Sequence, residues 1–422
     1  MVEHGTKSLT RRGILATTAA GGAAIAANAA GAASFGNPDS PPQGAVNVTN
    51  PSTLQIPGPH DDTLAGAMPS FLSPPPTDVG SSPAFWASFN LAPRRIQDGG
   101  WGRQVTQSDF PISTEIAGVN MRLSAGGIRE LHWHQQAEWS IMTYGNCRIT
   151  VLDAQGRPSV QDVKAGDLWY FPPGLPHSLQ GLGPDGCEFV LAFDNGVSSE
   201  FNTLPATDWL AHTPPNVLAM NFGVPAESFT NIPLQNRWIF QSQVPGPLAE
   251  VQAAVMAGAD APDLPYVFSL ASAAPVESNR SGQVQLADST NFKVATNVAA
   301  GLVTVRPGGM RTMHWHPNAD EWQYYIKGTG RMTVFNAGPS AVTADFRPGD
   351  IGYVKKGLGH YVQNTGDSDL VFVAVFRTSR YEEVSLADWL AHTPPEMVAA
   401  TFNLDPAVVS QFPKARTAFM PA

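Results

Sequence analysis

The chain of 422 residues reads as an all-β protein made of two tandem antiparallel barrels or jelly rolls with short flanking helices. Three observations predict that class. Short alternating segments, such as 147–152 and 331–335, are bounded by Gly, Pro and Asp turns, and 39 Gly and 37 Pro supply many such breaks. The pattern also occurs twice: Phe89 answers Phe268, His132 answers His314, His177 answers His360 and Asp208 answers Asp388, at separations of 179 to 183 residues. Within each copy two histidines stand two residues apart, His132 with His134 and His314 with His316. Side chains at i and i+2 share a face on a strand and diverge by more than half a turn on a helix. Each pair can therefore converge on one ion only from a strand, and the interior of a small barrel can hold such a site.

Taken in order, the chain opens with Arg11 and Arg12 ahead of an alanine-rich apolar run to about Ala32, with small-residue cleavage options after Ala29 or Ala32. Residues 1–33 read as an export signal of the bacterial twin-arginine type, for a periplasmic or secreted protein. Their apolar run is too glycine-broken to span a membrane. Residues 34–80, rich in Pro, Gly, Ser and Asn, read as an extended arm able to wrap another subunit. The two repeats then occupy 81–235 and 236–422. After each barrel, residues 208–229 and 385–412 carry a helical pattern, Asp-Trp-Leu-Ala followed by an apolar run beyond Pro-Pro. With 25 basic and 35 acidic residues the net charge is -10, which argues against a nucleic-acid partner. An anionic substrate would need positive charge focused locally.

Each histidine pair is followed by a carboxylate, Glu138 and Glu321, that can return across a short bend. A fourth ligand is offered by the matching stretches 166–177 and 349–360. Both run through a Gly-Asp turn, an apolar strand and a second glycine to His177 and His360. Three neutral imidazoles and one carboxylate leave an octahedral ion two adjacent open positions, suited to a small anion with dioxygen or water. A structural zinc site would close at four ligands and usually use cysteine. Cys147 and Cys187 lie in one repeat only and read as core thiols or as one disulfide. Arg129 and Arg311, three residues ahead of the first histidine, have the face parity of neither ligand, so they reach the site only through a twist or bulge.

Together these motifs resemble the cupin superfamily, and the order of the two units resembles the bicupin oxalate decarboxylases. The first motif of that family is matched by Gly126, His132, His134, Glu138 and Gly145, and again by Gly308, His314, His316, Glu321 and Gly328. The second is matched by Gly166, Pro172, Gly174 and His177, with Gly181 where the pattern has Asn. Its other copy is Gly349, Gly357, His360 and Asn364, with Lys355 in place of Pro. The resemblance spans about residues 80 to 412. It implies cupin barrels of the double-stranded β-helix type, each holding one Mn(II), with dioxygen as co-catalyst. It further implies oxalate as substrate, formate and carbon dioxide as products, and a homo-oligomer, trimer or hexamer.

The resemblance also implies that Arg129 and Arg311 bind the distal carboxylate of oxalate. It implies as well that a glutamate on a lid after the first barrel protonates the product carbon. The matching loop is 197–203, which makes Glu200 the proton donor, with a bulky Phe201 beside it. In the second repeat Ala374 stands where some relatives carry another glutamate, and Glu382 lies near the lid position, so the first site is expected to be catalytic. Trp133 and Trp315 face away from the ligands by alternation, which predicts packing between barrels or subunits and leaves electron relay between sites as a hypothesis. His212 and His392 repeat outside the motifs and read as helix or interface packing. The alternatives are an oxalate oxidase releasing hydrogen peroxide, a dioxygenase for an aromatic acid, and a binding or storage bicupin. The eight intact ligand positions disfavour the last.

Overall fold

In the computed structural model, which describes residues 55–421 except 339, both repeats fold into antiparallel β-barrels. The export signal expected in 1–33 and the arm as far as residue 54 lie outside the described residues. In the first barrel the 15-residue strand Glu138–Leu152 serves both walls. Its first half pairs with Leu168–Phe171 and Cys187–Phe193, and its second half with Pro158–Lys164 and His177–Gly181. The corner is Gly145, at φ 69, where an added Cβ would lie 2.0 Å from the Gly186 carbonyl oxygen. Only glycine fits a left-handed position that close to backbone. In the second barrel the corner is Gly328, and the element divides into Glu321–Lys327 and Gly330–Asn336.

The barrels exchange edges. Trp86–Ser88, just ahead of the first barrel, pairs with Asp350–Val354 of the second, and Val267–Phe268 pairs with Leu168–Phe171 of the first. Behind these strands Phe89 and Leu270 are fully buried, and one apolar cluster runs from Val119, Trp139 and Phe189 to Trp322, Ile351 and Val373. Burial of that continuous surface ties the two barrels together. Cys147 and Cys187 belong to the same cluster as free, fully buried thiols.

One expectation is corrected. The arm is not extended throughout: Asp62–Ala67 and Pro69–Leu72 are short helices. The Asp61 carboxylate accepts from the Thr63 and Leu64 amides, and Pro69 occupies the first position of the second helix, so local capping overrides the loop-like composition. This segment lies on its own second barrel, where the Ser70 amide donates to Asp345 at 2.7 Å and Asp78 accepts from the Thr343 amide at 2.9 Å. The tryptophans do face away from the ligands, yet Trp133 packs edge-on against Trp209, 5.6 Å between ring centres, and Trp315 against Trp389, 5.9 Å. Their partners sit on the flanking helices Ala206–Ala211 and Leu386–Ala391 of the same repeat, not between barrels. His212 and His392 end these helices, exposed, each donating Nδ1–H to the Asp208 or Asp388 carbonyl. Among the described residues no helix is long and apolar enough to cross a membrane.

Candidate metal centres

His132, His134, Glu138 and His177 are all buried and offer ligand atoms within 4.8 Å of one another, and so do His314, His316, Glu321 and His360. Strands Gly127–Trp133 and Gly309–Trp315 deliver the first histidine of each pair. The second follows at the strand end, where the short bend brings the glutamate back. His177 and His360 arrive directly across the sheet, His132 paired with His177 and His314 with His360. The i, i+2 reading and the remote fourth ligand therefore meet in one place in each barrel.

The imidazoles are oriented by the backbone. In the first site Nδ1–H donates to the carbonyl of Glu130 from His132 at 2.6 Å, of Gln136 from His134 at 2.6 Å and of Leu175 from His177 at 2.8 Å. In the second the acceptors are Thr312, Glu382 and Leu358, at 2.6, 2.8 and 3.2 Å. A proton fixed on Nδ1 leaves the Nε2 lone pair pointing inward, the tautomer a metal ligand needs. The buried Nε2 atoms of His132, His177, His316 and His360 have no hydrogen-bond partner, a costly state that a bound cation relieves. Glu138 Oε1 accepts from Ser140 at 3.0 Å and Trp169 at 3.3 Å, and Glu321 Oε1 from Gln323 at 2.9 Å. Each Oε2 is thereby turned to the imidazoles, at 3.2 and 3.5 Å from His134 and His177 and at 3.2 and 2.8 Å from His316 and His360.

Burial, helped by Arg129 and Arg311, pushes His132 and His314 well below the ordinary imidazole range, and burial also lowers His177 and His316. Burial works against the charged form of His134 too, but the bond to Glu138 and the charges of Glu138 and Glu200 together outweigh it and raise its pKa. Burial alone would raise Glu138 and Glu321; their histidine neighbours overcome it and hold both carboxyls well below the usual range. Imidazoles with Nε2 turned inward and an ionised carboxylate in a thiol-free set suit a divalent ion of intermediate hardness.

Both arginines reach the sites, and by the anticipated device: the strand register shifts between Arg129 and His132, and between Arg311 and His314. Arg129, fully buried, donates Nε–H to Glu200 and Nη2–H to Thr203 Oγ1 at 2.8 Å. Glu200 is only 1% exposed, in a 3-10 turn capped by Ser199, with its amide on Gln104 at 3.1 Å. The loop 197–203 is thus closed over the site. Burial raises the Glu200 pKa, against the pull of Arg129.

The second site holds a residue the sequence reading missed. Glu382 supplies only a carbonyl to His316, while Glu383 and Tyr381 take Arg311, and Tyr381 also donates to Glu383. Aligned on the Asp-Trp-Leu helices, Glu383 corresponds to Thr203, three residues nearer the helix than Glu200, so position along the lid hid it. A useful signal was available in the adjacent pair of glutamates, either of which could turn inward. Ala374 lines this site with Tyr381 and Phe376 around a cavity of about 10 Å³, room for one water.

The cupin family model matches residues 88–228 and 268–410, one copy per barrel. Oxalate decarboxylase OxdC of Bacillus subtilis is 49% identical over 338 residues, covering 80% of this chain and 86% of that protein. A probable oxalate decarboxylase of Arthroderma benhamiae is 37% identical over 343 residues, covering 81% and 84%. A solved structure of the Bacillus subtilis enzyme, studied for its Mn(II) centres, superposes with a TM-score of 0.85 at 43% identity over 91% of this chain and all of that one. With a repeat matched in each barrel and these relatives matched across both, the chain belongs to the bicupin oxalate decarboxylases of the cupin family.

Proposed function

We propose that this protein converts oxalate and one proton to formate and carbon dioxide, using Mn(II) in each barrel and dioxygen as co-catalyst. The observation that carries the reading is the buried Glu200 carboxyl seated on Arg129 beside a site of three imidazoles and one carboxylate. Mn(II) held by His132, His134, Glu138 and His177 would supply open positions for the substrate and one-electron chemistry with dioxygen. In the closed state Glu200 occupies the guanidinium, so oxalate takes its place there as loop 197–203 moves aside. The planar fork of Arg129 fits the distal carboxylate. Glu200, whose pKa burial raises, then returns as the proton donor. As the C–C bond breaks and carbon dioxide leaves, its proton forms the C–H bond of formate, and solvent reprotonates it when the lid reopens. Phe201, packed on Trp238 at 5.4 Å between ring centres, keeps water from the reacting carbon.

We assign turnover to the first barrel and a structural or electronic role to the metal of the second. Glu200 lies four residues ahead of the strand Leu204–Pro205, on a turn of its own. Glu383 directly precedes Val384–Ser385, which is bonded to Trp315 and His314. The family reading also carries export through residues 1–33 and assembly as a trimer or hexamer. The test is manganese-loaded protein given oxalate and scored for formate against peroxide. Formate as the main product, diverted toward peroxide in Glu200→Ala, is expected; peroxide from the unaltered protein would make it an oxalate oxidase.

A further inference from the structure

Two arginines stand at the mouth of the first site. Arg95, on the edge strand Arg95–Gln97, lies half-exposed with its guanidinium 4.4 Å from the Trp238 ring and 5.7 Å from the Phe201 ring. Arg129 approaches Trp238 from inside, at 5.9 Å. The indole thus contacts both a half-exposed cation and the cation that holds Glu200, and Phe201 of the lid packs edge-on against it. Trp238 is rigidly placed. Its φ of 49 is rare for so large a residue, it is fully buried, and its amide and that of Arg237 donate to the buried Glu130 carboxylate at 3.1 and 3.0 Å. Among the described residues Arg95 has no carboxylate partner, while Arg129 and Glu200 both act on its charge.

The second barrel serves as an internal comparison. Glu277 occupies the register of Arg95: Arg95 faces Gly102 and Glu277 faces Val284, the third residue of the following strand in both cases. Ala418 replaces Trp238, since the carbonyl of each accepts from the site arginine, at 3.4 Å from Arg129 and 3.0 Å from Arg311. Glu277 is itself satisfied, by the Ala418 amide at 2.8 Å and by Arg416 at 3.5 Å. At the positions of Arg95 and Trp238 the second barrel therefore carries a paired carboxylate and an alanine.

We propose that Arg95 is a specificity residue that draws the substrate dianion to the first site. Its guanidinium, positioned by the Trp238 ring, holds the anion while the lid is open, and the anion passes to Arg129 as Glu200 and Phe201 return. A guanidinium stacked on an indole is positioned without being neutralised, so its field stays available to an anion. On a chain of net charge -10, which repels oxalate overall, that local charge decides where the substrate collects. The inference rests on the oxalate reading above.

The test compares kcat and KM for oxalate across ionic strength in manganese-loaded wild type, Arg95→Gln, Arg95→Lys and Arg94→Gln. Arg94 makes the same charge change from the same edge but stacks on Trp101, away from the lid. Arg95→Gln is expected to raise KM about 10-fold at low salt, to leave kcat within about twofold and to flatten the salt dependence. Arg95→Lys should recover most of the loss, and Arg94→Gln should behave as wild type. If Arg95→Gln binds less metal or melts earlier, Arg95→Lys decides: wild-type KM supports steering by charge. An unchanged KM in Arg95→Gln, equal effects from Arg94→Gln and Arg95→Gln, or a fall in kcat alone would overturn the proposal. Wild-type protein that makes no formate would instead sink the oxalate reading.

Discussion

Glu200→Gln keeps the size of the side chain and an oxygen for Arg129 but removes the proton. A positioned general acid contributes roughly 10²–10⁴-fold, or about 3–5 kcal/mol of barrier. The structure points to the upper half of that range, because no second acid stands ready. Glu138, the other carboxyl at the site, is held ionised by His134 and His177 against the effect of its burial. Substrate binding should change little, since Arg129 keeps its geometry, so the loss falls on kcat. Truncation to Ala is the poorer probe of chemistry. It leaves the buried Arg129 Nε–H without its acceptor, at a cost of about 1–3 kcal/mol, and should lower Tm where Gln, which keeps an oxygen there, does not. The assay is formate released from oxalate by manganese-loaded protein, with peroxide followed in parallel and metal content measured for each variant. Formate at the wild-type rate from fully metallated Glu200→Gln would remove this residue from the mechanism.

The pH profile should follow the same group. Burial raises the Glu200 pKa, so the proton is present at low pH and turnover falls as pH rises through that value, above the ordinary glutamate range. The stability linked to this carboxyl is likewise present at low pH and lost through the same window, and a kcat that climbs through neutrality would contradict the assignment. His316→Ala should cost the second barrel its metal and leave formate production by the first, measured as manganese per chain alongside turnover; loss of metal from both barrels would refute their independence. Arg129→Lys retains the charge but not the fork, and KM for oxalate should rise about 10-fold; no change would mean the distal carboxylate is held elsewhere. Cys147 and Cys187 are free and fully buried, so both thiols should react with an alkylating reagent only after unfolding, and a disulfide in the native protein would contradict the packing.

The eight ligands were legible because strand periodicity is local: i and i+2 share a face whatever else the chain does, and the repeat supplied the check. Arg129 was harder, since its parity is wrong for the site. The required bulge is set by pairing with His177–Gly181, some 50 residues away, and spacing alone does not encode it. Glu383 escaped because lid residues are placed by the strand that follows them, and a three-residue offset from Glu200 puts a different side chain under Arg311. The Trp238 ring was invisible for a related reason. Its position depends on Glu130, more than 100 residues earlier, gripping its backbone. The exchange of Trp86–Ser88 and Val267–Phe268 between barrels likewise depends on edge pairing that short apolar segments do not specify.

The most direct test is oxalate turnover by purified protein reconstituted with manganese, with the metal bound per chain quantified in the same sample. The account predicts an ion in each barrel and formate released in step with oxalate consumed. Protein that fills both sites with manganese and leaves oxalate intact would contradict it.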